Sequence, residues 1–395
     1  MERALRLPVS RIQSCRPRLF PKVSAPSAVP LLSAIPGKKS VNAPSPLIDT
    51  PDALAGVLPL FASLARIPID TEADSLHCYF EKLCLIQISV PGHDLLIDPL
   101  AQMDLAPLFA SFEGKELIIH GADYDLRLLR RVGYAGPASV FDTMIAARLT
   151  GVAQFSLAAL ILKYFGVTIA KASQKANWAL RPLPPQMTDY AVKDTHYLAE
   201  IAANLEADLV RLGRTDWFRQ SCEKAIAASA VTKERDPDEI WRITGSHELR
   251  GRSGAVLRAL WHWRDQEAAA VDKPAFHILH NEQLLRAAAD FDAGREVSFH
   301  HLHGPRKRRF YEAVEKSLAL PESEWPFRER TPRPRPTPDF DRKLRDLKTR
   351  RDKLAADLQL DPSLIAPKTI LENLAADNPD IRARMMPWQR ELLGV

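Results

Sequence analysis

The sequence predicts an α/β domain followed by all-helical segments. Two observations support this. Short apolar runs of strand length, one leading into Asp70 and others at 83–90, 94–98 and 116–120, are separated by turn signals. After Ser221 the apolar residues recur at helical spacing instead, as at Val256, Leu257, Leu260, Trp261 and Arg264. A Pro/Arg-rich stretch at 319–338 then divides the helical part in two.

In chain order, residues 1–46 are rich in Arg, Ser and Pro, with eight Lys or Arg and one acid. This composition predicts a disordered basic tail. An organellar transit peptide or a misassigned start would share it. The apolar patch from Ala28 to Ile35 is broken by Pro30, which argues against a secretory signal. A domain over 47–220 opens with a helix near 51–65 that leads into the Asp70 strand. Strands at 83–90 and 94–98 follow, joined at Pro91-Gly92. The run at 116–120 gives way to an amphipathic helix closed by Gly133. Asp142 stands at an N-cap-like position before the next helix. Helices are then expected at 155–165, at 186–209 and throughout the region beyond Ser221. Residues 237–318 read as a separate all-helical domain in which Trp261 and Trp263 form core and groove wall. The stretch 319–338 should be extended and semi-rigid. Residues 339–395 open with an amphipathic helix marked by Phe340, Leu344, Leu347, Leu354 and Leu358, with a basic outer face.

Composition narrows the setting. Apolar content of 46% and charged content of 26% are ordinary for a soluble chain, and no run approaches a membrane span. No membrane association is therefore expected. Cys15, Cys78, Cys84 and Cys222 lack paired or zinc-like spacing, so free thiols in a reducing compartment, the cytoplasm, are expected. Nothing points to an obligate protein partner, and a monomer is expected. The net charge of +5 is uneven: residues 1–46 and 306–353 each hold +7, which leaves −9 on the rest. Positive charge in the C-terminal half, including Arg306, Lys307, Arg308 and Arg309, suits contact with a polyanion. The neighbouring histidines His300, His301 and His303 have no cysteine or carboxylate at ligand spacing and read as a polar loop.

Five residues suggest chemistry. Asp70 and Glu72 sit two apart on a predicted strand, so both carboxylates project from one face. Asp125 lies in the first turn of a predicted helix. Tyr190 and Asp194 sit four apart on another, sharing a face. Hard divalent cations such as Mg²⁺ take carboxylate oxygens, and four converging carboxylates would repel one another without them. The set reads as a two-metal site for phosphodiester cleavage.

In this order and on these elements, the five residues resemble the DEDD family of 3′–5′ exonucleases. The tyrosine four before the last aspartate marks its tyrosine branch. The segments 82–89, 95–100, 141–147 and 181–183 resemble ribonuclease D, and the region around Trp241 and 263–268 resembles that family's helicase-and-RNase-D C-terminal (HRDC) module. The resemblance implies a ribonuclease-H-like mixed sheet, an HRDC domain at 237–318 and a second HRDC-like segment at 339–395. It implies a 3′–5′ exoribonuclease that releases nucleoside 5′-monophosphates, with tRNA precursors as RNA substrates. By the same resemblance, Asp70, Glu72 and Asp194 would hold one Mg²⁺ (or Mn²⁺), Asp70 and Asp125 the second, and Tyr190 would position the attacking water. His120, Gln87 and Lys175 would face substrate, although on their strands His120 and Gln87 read equally well as hydrogen-bonded core polar residues. The chain departs from the family at Lys175-Ala176-Asn177-Trp178, where an acid commonly precedes the tryptophan.

Two other functions share parts of this pattern. A DNA 3′–5′ exonuclease uses the same catalytic set, but no polymerase signature or helicase phosphate loop accompanies it here. An inactive nucleic-acid-binding adaptor would be marked by loss of a carboxylate, and all four are present.

Overall fold

The computed structural model describes residues 47–169, 174–231, 236–327 and 337–395. The expected tail at 1–46 and most of the Arg-rich part of the expected linker lie outside them. The first domain is built on six strands: β1 (Leu47–Ile48), β2 (Arg66–Ala73), β3 (Leu83–Val90), β4 (His93–Ile97), β5 (Glu116–Ile119) and β6 (Ser139–Asp142). Their order in the sheet is β1-β4-β3-β2-β5-β6. The pairs β4/β3 and β3/β2 are antiparallel, whereas β1/β4, β2/β5 and β5/β6 are parallel. This is the mixed sheet expected. Every residue of β3 is buried, as a central strand covered on both faces requires.

Among the described residues eight helices surround this sheet: α1 (Pro51–Val57), α2 (Ala106–Ala110), α3 (Asp123–Arg131), α4 (Thr143–Leu149), α5 (Leu157–Phe165), α6 (Pro185–His196), α7 (Leu198–Arg211) and α8 (Thr215–Ser229). Three differ from the sequence expectation. The helix expected at 51–65 ends at Val57 and tightens into a 3₁₀ turn at Leu58–Phe61, where Pro59 cannot donate a helical hydrogen bond. The run at 186–209 is two helices, separated at Tyr197. The helix expected at 155–165 begins at Leu157, with the Ser156 side chain accepting from the Ala159 N–H. One sheet face packs Ile67, Ile69, Ile86 and Ile88 against Leu126 and Leu129 of α3. On the other face Leu85 and Leu96 meet Met187 and Ala191 of α6.

The helical domain comprises α9 (Arg252–Ala270), α10 (Ala275–Ile278), α11 (Asn281–Asp292) and α12 (Gly304–Leu318) around Trp241, Leu257, Leu260, Trp263, Leu284 and Phe310. Trp263 is core, its ring 4.9 Å from that of Phe310, and Trp261 is only partly buried. Asp272 helps to fasten the domain to the first, alongside Tyr79, which packs against the helical core. Asp272 accepts hydrogen bonds from the Tyr79 and Phe80 N–H groups, each at 3.0 Å. Within 319–327 the expected extended backbone is interrupted by a 3₁₀ turn at Glu322–Glu324, and the stretch packs on the helical domain. The Arg258 guanidinium donates to the Glu324 carbonyl at 2.9 Å, and the Trp325 ring lies against Gly251.

The last segment folds as α13 (Pro338–Leu358), α14 (Pro362–Ile365), α15 (Lys368–Ala375), α16 (Ile381–Arg384) and α17 (Pro387–Leu393). Its apolar face is closed by the first domain: Ala355, Ile365, Leu371 and Trp388 share a core with Phe141, Leu160, Leu205 and Phe218. Trp388 stacks on Trp217 at 5.0 Å, and Arg214 donates to the Leu358 carbonyl at 2.7 Å. Among the described residues no helix is long and apolar enough to cross a membrane.

Because Trp388 is 2% exposed within a core shared by the C-terminal segment and the first domain, Trp388→Ala should destabilise the first domain by about 3–5 kcal/mol. Urea denaturation checks this, and an unchanged midpoint would show that 337–395 is an independent appendage.

Candidate active site

The site is assembled at the end of β2. Asp70 and Glu72 project from one face of this strand, and the register shifts immediately after Glu72, as at a β-bulge. Helix α6 crosses the same face and brings in Asp194, which is buried. Asp70, Glu72 and Asp194 each place one carboxylate oxygen within 4.8 Å of the others. Asp125 comes from the first turn of α3. Gly121, with φ +85°, makes the turn from β5 into that helix, and a Cβ there would lie 3.0 Å from the Met144 methyl. Asp142 locks the same turn. Its carboxylate accepts from the N–H groups of Gly121 and Ala122 as well as those of Met144 and Ile145 in α4, the expected N-cap with a second duty.

Asp125 is not one of the three clustered carboxylates, yet it adjoins them. One of its oxygens accepts from the Thr71 N–H at 3.1 Å and the Thr71 hydroxyl at 2.6 Å. Its charge raises the proton affinity of Glu72, and the charge of Asp70 does the same to Asp125. Among the described residues none of the four carboxylates forms an ion pair with Lys, Arg or His. Burial first, and then Asp194, lifts Asp70 to about 8; burial and then Asp70 lift Glu72 to about 10. Asp194 is raised to about 7 by burial, and Asp125 is raised well above the carboxylate range by burial and Asp70. Oxygen-only donors that are crowded, half-buried and uncompensated fit a hard divalent cation.

Tyr190 lies one turn before Asp194 on α6, with its ring 6.2 Å from Trp178. Burial, then Asp194 and Glu72, push the phenol pKa upward, so it stays neutral. The loop before α6 is pinned by Arg181, whose guanidinium grips both oxygens of Asp98 at 2.5 Å and also donates to the carbonyls of Cys84 and Trp178. Sequence reasoning missed this pin and the Thr71 clamp on Asp125. The Arg-Pro-Leu segment at 181–183 was the only sign of the first, and nothing signalled the second.

The other expected site residues are scattered. His120 follows β5, its Nδ1 lies 2.9 Å from the Thr143 hydroxyl, and burial lowers its pKa, so it is neutral. Lys175 is exposed on the loop before α6, and its carbonyl lies 3.0 Å from His77 Nε2. Gln87 is 0% exposed, so its amide offers no surface to a polynucleotide and cannot bind substrate directly. In the basic cluster, Arg306 and Arg309 both bind the buried carboxylate of Glu267, at 3.1 and 2.5 Å, which ties half of the expected patch to the helical domain although Arg309 stays exposed. Lys307 and Arg308 remain exposed.

The raised carboxyl groups give a signed pH dependence. A group whose pKa is raised on folding favours the fold below its unfolded value, about 4 for a carboxyl. That contribution is lost as pH climbs through the folded value. In chelator, stability should therefore fall from pH 5 to pH 9, the window set by Asp194 near 7 and Asp70 near 8. Saturating Mg²⁺ should flatten the fall. Thermal melts across this range check both, and a melting temperature rising with pH in chelator would contradict the electrostatics.

Comparison with known proteins agrees with the geometry. The family model described as 3′–5′ exonuclease matches residues 47–210, and that of the HRDC domain matches residues 253–291. A ribonuclease D of Acidiphilium cryptum is 31% identical over 90% of this chain and 93% of its own length. One from Gluconacetobacter diazotrophicus is 31% identical over 88% of this chain and 90% of its own. The crystal structure of Escherichia coli RNase D has the same fold, with a TM-score of 0.65 at 24% identity over 89% of this chain and 96% of that one. The chain belongs to the ribonuclease D family of 3′–5′ exoribonucleases.

Proposed function

We propose that this exoribonuclease uses two Mg²⁺ or Mn²⁺ ions to shorten RNA from its 3′ end, that tRNA precursors are its substrates, and that it acts as a monomer in the cytoplasm. The observation behind the two-ion reading is the convergence of four carboxylates, three of them within 4.8 Å of one another, with no ion pair to a protein cation among the described residues. Asp70, Glu72 and Asp194 would hold one ion, and Asp70 with the Thr71-clamped Asp125 would hold the second. Two such ions supply charge neutralisation for in-line attack of water on the terminal phosphodiester.

The chain's own groups then have distinct tasks. The Thr71 N–H and hydroxyl fix the Asp125 carboxylate in one rotamer. Tyr190 keeps its proton, so it orients the attacking water by hydrogen bonding and does not act as a base. The product is a nucleoside 5′-monophosphate. Exposed Lys175, Lys307 and Arg308 are suited to hold the RNA backbone. The buried free thiols of Cys78, Cys84 and Cys222 suit a reducing compartment.

End-labelled tRNA precursor, unstructured RNA and matched DNA, each incubated with and without metal, test this reading. EDTA should abolish cleavage, and Mg²⁺ or Mn²⁺ should restore it, on RNA in preference to DNA. Asp70→Asn should eliminate turnover with RNA binding retained. Tyr190→Phe should slow turnover by up to about 100-fold, the scale of a misplaced reactant. Cleavage in chelator would exclude the metal mechanism, equal rates on DNA would favour the repair exonuclease, and binding without any cleavage would identify an adaptor.

A further inference from the structure

Gln87 is the most anomalous polar group in the catalytic domain. It is 0% exposed, and neither Nε2 nor Oε1 has a hydrogen-bond partner among the described residues. Leaving a buried donor and acceptor unpaired is costly, and a leucine or methionine would fill the same space without that penalty. Such a residue in the middle of β3 requires a reason.

Its position supplies one. Gln87 is the direct antiparallel partner of Asp70, so the two side chains leave the sheet on the same face. Two residues to one side, Leu85 packs against Met187 and Ala191 of α6. Two residues to the other, the Ser89 hydroxyl lies 2.7 Å from that of Thr195. Gln87 is therefore roofed by the α6 turn that ends in Asp194. Gln87 thus lies on the sheet face covered by α6, between Asp70 on one neighbouring strand and Leu96 on the other.

We propose that Gln87 is a positioning residue for the carboxylate cluster. Its Nε2–H donates to a carboxylate oxygen of Asp70 or Asp194 when the cluster is drawn into its cation-bound arrangement, and so fixes the rotamer from which that carboxylate binds. That bond would give the buried amide the partner it lacks among the described residues. The inference rests on the divalent-cation reading of the site and adds to it the group that orients the ligands from below. Partners of this kind, hydrogen-bonded to metal ligands, change metal affinity about 10–100-fold when removed.

The test uses the full chain with Gln87→Met and Gln87→Leu, two apolar replacements of similar size. Thermal melts in EDTA report the metal-free fold, and calorimetric titration with Mn²⁺ reports the site without reference to turnover. Both variants should melt at or above the wild-type temperature in EDTA, by about 2–4 °C if one unpaired group is relieved. Both should bind Mn²⁺ at least about tenfold more weakly. Unchanged Mn²⁺ affinity in either folded variant overturns the assignment. A lower melting temperature for both in EDTA also overturns it, since the amide would then be satisfied within the protein. If the wild type itself binds no Mn²⁺, the cation reading fails first and takes this proposal with it.

Discussion

Four carboxyl groups converge on the end of one strand, and no lysine, arginine or histidine among the described residues neutralises them. This uncompensated charge is the constraint on which the rest of the catalytic domain depends. A fold that only needed to be stable would place a cation or an apolar residue there. Here burial and mutual repulsion raise Asp70 to about 8 and Glu72 to about 10, so the metal-free protein holds protons that a divalent ion would displace. The surrounding structure resists the separation that repulsion favours.

That resistance comes from backbone and side-chain hydrogen bonds placed around the acids. Thr71 fastens Asp125 to the strand that carries Asp70 and Glu72. Asp142 collects four N–H groups and fixes the turn from which α3 emerges. Arg181 ties the loop preceding α6 to Asp98 and to the carbonyl of Cys84, which sets where that helix starts and hence where Tyr190 and Asp194 lie. The helical segments extend the same logic to a larger scale. Asp272 holds the loop after β2 by two backbone N–H groups, and Trp388 closes the core behind α8. The helical domain and the C-terminal helices thus both brace the catalytic domain.

The candidate site residues are legible in the sequence because periodicity fixes which side chains share a face. Two residues on a strand placed Asp70 beside Glu72, and four on a helix placed Tyr190 over Asp194. Features that depend on three-dimensional partners were not. β6 is four residues long and β1 two, too short for alternation to register. The amphipathic pattern from Phe340 announced a buried face but not the surface that buries it, which is the catalytic domain. Arg306 and Arg309 read as free positive charge because the sequence does not show that Glu267, some forty residues earlier, turns toward them. Gln87 was legible as a polar residue on an apolar strand, whereas its complete burial emerged only with α6 in place.

The central claim is that a divalent cation replaces protons on this cluster. The most direct measurement is proton release on Mn²⁺ binding, obtained near pH 7 by titration calorimetry in buffers of different ionisation enthalpy. Carboxyl groups raised to about 7, 8 and 10 at Asp194, Asp70 and Glu72 predict release of at least about one proton per protein, declining above pH 9 as the groups ionise unaided. Mn²⁺ binding with no proton release near neutrality would show that the four carboxylates are already ionised and compensated, and would contradict the account.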